Sequence, residues 1–280
     1  MTKLIVNADD LGLTKGINRG IIDGFKHGII TSASLIPTMP AFQHAVELAM
    51  ENPDLDIGVH LSLTVGKPCS KNDRLSPIVE EEEFVQSYVH VIRSIYANQA
   101  HIEDIKDELS AQIRKVQETG LRVSHLDSHQ HVHMVPRVFS LILALMQEHK
   151  VPFVRVPDEL VGTKQLLTAK GWGLFVLGLI GKVSRRKVVR AKLCTTDCFR
   201  GLSCSEAMSL HDLTHILRSP KPGINELMCH PGYNDGTLGQ IYDRPSFREE
   251  ELAALTDDKT LELVRQRGIR LTNYRALLNQ

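Results

Sequence analysis

The sequence predicts an α/β fold, with a mostly parallel sheet covered by helices and curled into an irregular barrel. Three observations carry this expectation. Short apolar runs of strand length alternate with longer stretches of helical periodicity along the chain, the pattern of parallel strands joined by helical crossovers. Roughly seven such units can be placed, which suits a barrel better than an open sheet, although the sequence alone does not force closure. Polar residues able to do chemistry stand at the ends of the apolar runs, where parallel folds gather the carboxyl ends of their strands on one face. The 280 residues can bury a full core, and no internal repeat or low-complexity linker divides them. Residues 1–280 are therefore expected to form a single domain.

The elements are read in order. Leu4-Ile5-Val6 is a buried-strand run that ends at Asn7-Ala8-Asp9-Asp10. Ile17, Ile21, Ile22 and Phe25 recur at helical spacing, with Gly28 as the stop signal. Ala33 to Ile36 reads as a strand, Ala41 to Met50 as a helix ended by Asn52-Pro53, and Ile57 to Leu61 as a third strand. Thr64 to Pro77 is loop, punctuated by Gly66, Lys67-Pro68 and Ser76-Pro77. Helices are expected over Glu80 to Ala97 and Ile102 to Glu118, then a strand over Arg122 to Asp127, a helix over Pro136 to His149 and a strand over Phe153 to Val156. Thr163 to Arg200 has no clear periodicity, and residues 160–200 are expected to form a lid or subunit-contact insertion. Ser205 to Leu217 reads as a helix and Ile224 to Cys229 as a strand. The C-terminal part adds helices and a short strand around Ile269-Arg270-Leu271.

Composition narrows the function classes. Lys+Arg and Asp+Glu balance at 33 each, so there is no basic excess of the kind a nucleic-acid binder carries. With 42% hydrophobic and 24% charged residues the chain is globular, not disordered. The five cysteines are odd in number and form no CxxC pair, so they read as reduced thiols. The N-terminal apolar stretch is too short for a signal-peptide core. Trp172 to Ile180, interrupted by two glycines, falls far short of the ~20 residues a bilayer requires. A cytoplasmic protein without membrane or nucleic-acid partners is expected. The unusual feature is 13 histidines, since imidazole is the commonest metal ligand and proton carrier near neutral pH.

Five places could carry chemistry. Asp9 and Asp10 close the first strand, where a turn would let both carboxylates reach one site, and like charges so placed call for a cation between them. His60 lies in the apolar run Ile57-Gly58-Val59-His60-Leu61; a lone histidine there is more often a hydrogen-bonded core residue than a ligand. The segment Ser124-His125-Leu126-Asp127-Ser128-His129-Gln130-His131-Val132-His133 puts its histidines and aspartate at one parity, and an extended backbone would set them on one face. One metal cannot take them all, so the surplus would orient ligands or touch substrate. His230 ends the strand Leu227-Met228-Cys229, positioned as a general acid, and Arg155, a charge inside a strand-like run, needs an acidic partner if buried.

Taken together, Asn7-Ala8-Asp9-Asp10-Leu11-Gly12, Gly58-Val59-His60, the run HLDSHQHVHMVP and Met228-Cys229-His230-Pro231 resemble the YdjC-like carbohydrate deacetylase family. The resemblance implies a distorted (β/α) barrel of the polysaccharide-deacetylase/glycoside-hydrolase type, often homodimeric. It implies one divalent ion (Mg2+, Zn2+ or Co2+) held by Asp10, His60 and His129. Asp9 would be the general base, His230 the general acid, and Arg155 the residue that orients or charge-balances Asp9. The activity implied is hydrolytic N-deacetylation of a small acetylated amino sugar or chitooligosaccharide, with release of acetate. A metal-dependent phosphoesterase, or a non-catalytic sugar-binding protein on the same scaffold, is the alternative.

Overall fold

The structure, a computed structural model, describes residues 2–160, 165–204, 207–240 and 247–278. The chain opens with β1 (Thr2–Leu11), α1 (Lys15–His27), β2 (Ser32–Leu35), α2 (Phe42–Glu51) and β3 (Asp56–Leu61). A small hairpin, β4 (Val79–Glu80) and β5 (Glu83–Phe84), precedes α3 (Tyr88–Tyr96), α4 (Ile102–Gln117) and β6 (Val123–Ser128). Then come α5 (Pro136–Glu148), β7 (Phe153–Val154), α6 (Ala169–Arg190), β8 (Cys198–Arg200), α7 (Leu210–Arg218) and β9 (Gly223–Cys229). The chain ends with α8 (Phe247–Thr256), α9 (Asp258–Gln266), β10 (Arg270–Leu271) and α10 (Tyr274–Leu277).

The main sheet runs β7-β6-β3-β2-β1-β9-β8, with β10 paired to the start of β1, and every pairing in it is parallel. Its two edges meet through one bridge. Cys194, just before β8, pairs with Phe153 of β7, and Val154 N donates to Cys194 O at 3.0 Å. The sheet is thus a curled, distorted barrel of the expected class. A continuous apolar cluster joins its strands to the inner faces of α1, α2, α4 and α5, and the area so buried is the main source of stability.

Two sequence expectations are corrected. The helix read over Glu80 to Ala97 is split: Glu81 and Glu82 take φ of 48° and 67°, turning the chain into the β4–β5 hairpin, and the helix begins only after Ser87, whose side chain accepts His90 N. The ambiguous stretch over 163–200 contains the 22-residue helix α6 followed by β8; residues 161–164 lie outside the described part.

Close backbone approach sets the position of one site-bearing loop. A Cβ on Gly20 would stand 2.5 Å from Gly232 Cα, so only glycine on α1 lets the segment after His230 lie against this helix. Tyr233 N donates to Gly16 O at 3.2 Å, and Tyr233 Oη donates to Asp23 at 2.8 Å.

Candidate active site

The register of the sheet brings the polar residues together at the carboxyl ends of the strands. Asn7 pairs with Met228 and Ala8 with Cys229, so Asp9 and His230 follow side by side. His60 pairs directly with Asp127. Asp9 and Asp10 stand at the carboxyl end of β1, as the sequence suggested, with Leu11 the last residue of the strand. Its pairing with β2 shifts register between Ala8 and Leu11, and Asp10 has φ 68°. This is a β-bulge, which suspends the alternation of faces and lets both carboxylates point into one site. The parity expected for residues 125–133 also fails after Ser128, since Gln130 and His131 adopt left-handed backbone at φ 53° and 54°. That turn redirects His129 into the cluster and sends His131 and His133 elsewhere. Non-glycine residues held in this conformation cost energy and collect at functional sites.

At the centre, His129 Nδ1 lies 3.0 Å and His60 Nε2 3.6 Å from Asp10 Oδ1. Asp10, His60 and His129 are placed to hold a metal ion. Ligand atoms bonded at about 2.0–2.2 Å around one ion stand roughly 3–3.6 Å apart, which these distances match. His60 Nδ1 is 2.7 Å from Asp127 Oδ1, an arrangement that fixes the ring and leaves Nε2 for the ion. Asp9, His60 and Asp127 form a second such group, but the carboxylates of Asp9 and Asp127 are occupied by Arg155.

Arg155, fully buried, is the hub of the site. Its Nη1 and Nη2 donate to the two oxygens of Asp9 at 2.6 and 2.7 Å. Nη1 also lies 2.9 Å from Asp127 Oδ2, and Nε donates to Glu226 Oε1 at 2.6 Å. Asp9 Oδ1 additionally accepts Asn7 Nδ2 at 2.9 Å. Asp9 Oδ2 is the oxygen that faces the histidines, 4.0 Å from both His60 Nε2 and His230 Nε2. Ser34 Oγ donates to Asp127 Oδ2 at 2.7 Å and lies 3.1 Å from His125 Nε2.

Electrostatics favour a cation. Among the described residues, the four buried carboxylates of Asp9, Asp10, Asp127 and Glu226 are paired with two guanidinium groups, those of Arg155 and Arg248, so the cluster has room for added positive charge. Burial alone would push the His60 imidazole down, yet the carboxylates of Asp127, Asp9 and Asp10 raise it above its ordinary value. Burial pushes the Asp10 carboxyl up, but Arg248, His129 and His60 hold it well below the usual range. Asp127 is likewise lowered against burial, by Arg155 and His60. Burial takes His230 down to about 4, leaving its ring neutral at neutral pH.

The remaining histidines of the run do not line the cluster. His125 stacks on Tyr274 of α10, ring centroids 4.0 Å apart, beneath the site. A Cβ on Gly58 would fall 2.3 Å from the His125 ring, which explains that glycine. His133 Nδ1 is 2.6 Å from Ser128 Oγ and its Nε2 3.2 Å from Arg155 O. His131 packs edge-on against Phe199. Sequence reasoning missed Glu226, Arg248 and Glu251. Glu226 had a signal, a charge within the apolar run Ile224 to Met228, whereas Arg248 and Glu251 begin an ordinary polar helix.

The chain matches the family model described as YdjC-like protein over residues 3–266. It is 33% identical to a carbohydrate deacetylase of Clostridium beijerinckii over 98% of this chain and 99% of that protein. It is 31% identical to a carbohydrate deacetylase of Thermoanaerobacter pseudethanolicus over 99% and 100% of the two. Among solved structures it resembles a protein of Enterococcus faecalis provisionally assigned to cellobiose-phosphate cleavage. That match has a TM-score of 0.76 and 28% identity, covering 99% of this chain and 98% of that one.

Proposed function

The chain belongs to the family of YdjC-like proteins, and from that premise we propose that it is a carbohydrate deacetylase acting by metal-dependent hydrolysis. The observation that carries the reading is the Asp10–His60–His129 cluster with Asp9 beside it in the grip of Arg155. The finer reading is hydrolysis of the N-acetyl group of a small amino sugar or chitooligosaccharide.

Asp10, His60 and His129 would hold the divalent ion, and their two imidazoles favour Zn2+ or Co2+ over Mg2+ on ligand softness. When bound, the ion supplies a Lewis acid that polarises the acetyl carbonyl and lowers the pKa of water. Asp9 takes the proton of the attacking water on Oδ2, the oxygen turned to the histidines, while Arg155 holds both carboxylate oxygens and Asn7 donates to Oδ1. Water oxygen adds to the acetyl carbon, and the C–N bond breaks once the nitrogen has been protonated. His230 delivers that proton. It is neutral at rest, and Asp9 Oδ2, 4.0 Å from its Nε2, is the group placed to pass the proton to it. The products are acetate and a free amine.

No helix among the described residues is long and apolar enough to cross a membrane. Helix α6 exposes Trp172, Val176, Leu179 and Val183, one apolar stripe at helical spacing. This stripe supports reading residues 160–200 as a lid or as the contact of a homodimer built on the single domain.

The test is acetate release from N-acetylglucosamine oligomers by protein loaded with Zn2+ or Co2+, by chelated protein, and by Asp9→Asn. Chelation should abolish release, and Asp9→Asn should lower kcat by about 10²–10⁴-fold, the range for loss of a general base. Activity that survives chelation would overturn the metal mechanism. Equal rates with Asp9→Asn would remove Asp9 from the role.

A further inference from the structure

Helix α8 reaches into the site from outside the barrel with two buried charged residues one turn apart. Arg248, 1% exposed, donates from Nη2 to Asp10 Oδ2 at 2.5 Å. The same stretch of helix receives alternate backbone amides of the loop that follows β9. His230 N donates to Glu251 Oε2 at 2.5 Å, Gly232 N to Arg248 O at 3.1 Å and Asn234 N to Glu249 Oε1 at 2.9 Å. Glu251 is buried too, and its other oxygen accepts Met208 N at 3.0 Å. Nothing in the deacetylation chemistry requires this contact with Asp10, and the family resemblance assigns it no role.

The two oxygens of Asp10 are divided. Oδ2 goes to Arg248 in a charge-assisted hydrogen bond. Oδ1 is the atom near which both His129 Nδ1 and His60 Nε2 converge, at 3.0 and 3.6 Å. A carboxylate on a metal can ligate through one oxygen or two, and a second bound oxygen takes up a position that a catalytic site must leave open for water or substrate.

We propose that Arg248 is a positioning residue that restricts Asp10 to ligation through Oδ1, and that α8 fixes this aspartate and the His230 loop as one unit. The proposal rests on the metal-site reading above. Loss of the guanidinium frees Oδ2 to turn toward the ion. It also removes a positive charge from beside the ion, so binding is retained or strengthened while the open position is lost.

The experiment is visible absorption of the Co2+-loaded protein, with the Co2+ Kd from calorimetry, for wild type, Arg248→Met and Arg248→Lys. In Arg248→Met the d–d bands should weaken, as they do when coordination number rises, at a Kd no weaker than wild type. Its kcat should fall by about 10–100-fold, the usual loss when a residue behind a metal ligand is removed, with KM little changed. Arg248→Lys, which keeps the charge, should recover part of the spectrum. Arg248→Gln, also too short to hold Oδ2, is read in the same way if the methionine variant does not fold. An unchanged spectrum in a folded variant overturns the proposal, as does a Kd tenfold weaker than wild type in Arg248→Met. If the wild type takes up no Co2+ at all, the metal reading itself has failed.

Discussion

Arg155→Met is the substitution whose cost can best be worked from the structure. The guanidinium lies between Asp9, Asp127 and Glu226, with contacts of 2.6 to 2.9 Å, and every partner is buried. Breaking a single buried ion pair by removing one member costs about 3–5 kcal/mol. With three carboxylates sharing this cation the upper end applies, a large part of the ~5–15 kcal/mol a domain has in total. The folded protein can relieve the strain only by protonating carboxylates. Burial raises Glu226, and Arg155 is the main group restraining it; Arg155 is also the chief cause that lowers Asp127 against burial. Without Arg155 both folded-state pKa values rise. A carboxyl with a raised folded pKa is stabilising when protonated and loses that contribution as pH climbs from its unfolded value through its folded one. The penalty should therefore be largest at pH 8 and shrink on acidification. Each tenfold gain in proton affinity is worth about 1.4 kcal/mol, so a reduction of roughly 1–2 kcal/mol by pH 5 is expected. Urea unfolding of chelated wild type and Arg155→Met at the two pH values reads this difference directly. A penalty under about 1 kcal/mol, or a larger one that does not change with pH, would refute the charge argument and point to a packing defect instead.

Two more outcomes follow from the same network. Asp127→Asn removes the carboxylate that holds His60 Nδ1 at 2.7 Å; metal affinity measured by calorimetry should weaken by about 10–100-fold, and an unchanged Kd would show that the His60 ring is held by packing alone. The metal-free wild type should lose stability between pH 6.5 and 4.5, because burial takes His125 and His133 down to about 4. The unfolded chain then binds protons the folded one refuses, at about 1.4 kcal/mol per pH unit for each histidine, and a flat thermal midpoint over that window would contradict it. His60, raised in the folded state, acts in the opposite sense, losing its contribution as pH rises through its folded value.

The architecture was legible because strand-length apolar runs and helical periodicity are local properties, and in a parallel fold the chemistry collects where such runs end. Asp9, Asp10, His60, Asp127, His129 and His230 could all be found by that rule. The rule failed where the backbone leaves its regular path. Glu81-Glu82 turns a hairpin without the glycine or asparagine that would announce it. The left-handed pair Gln130-His131 breaks a parity that looked unbroken through His133. It failed also for Arg248 and Glu251, since a polar helix start reads the same whether its charges face water or a site some 240 residues away in the chain, as the Arg248–Asp10 contact shows. Only register and packing make that distinction, and neither is written locally.

The neighbouring carboxylates of Asp9 and Asp10 illustrate what the fold adds. In a regular strand they would face opposite sides, and in one site without partners they would compete for a proton. The bulge in β1 brings them together, and two arginines from distant parts of the chain then separate their roles. Arg155, just after β7, takes both oxygens of Asp9, which fixes its plane and leaves Oδ2 turned to the histidines. Arg248, from α8, takes only Oδ2 of Asp10 and leaves Oδ1 to the imidazoles. Two identical side chains one residue apart thus become a proton acceptor and a metal ligand through the direction from which each guanidinium approaches. This is also why the two arginines are not interchangeable in effect. Loss of Arg155 should appear first in stability and its pH dependence, whereas loss of Arg248 should appear first in the spectrum of the bound metal.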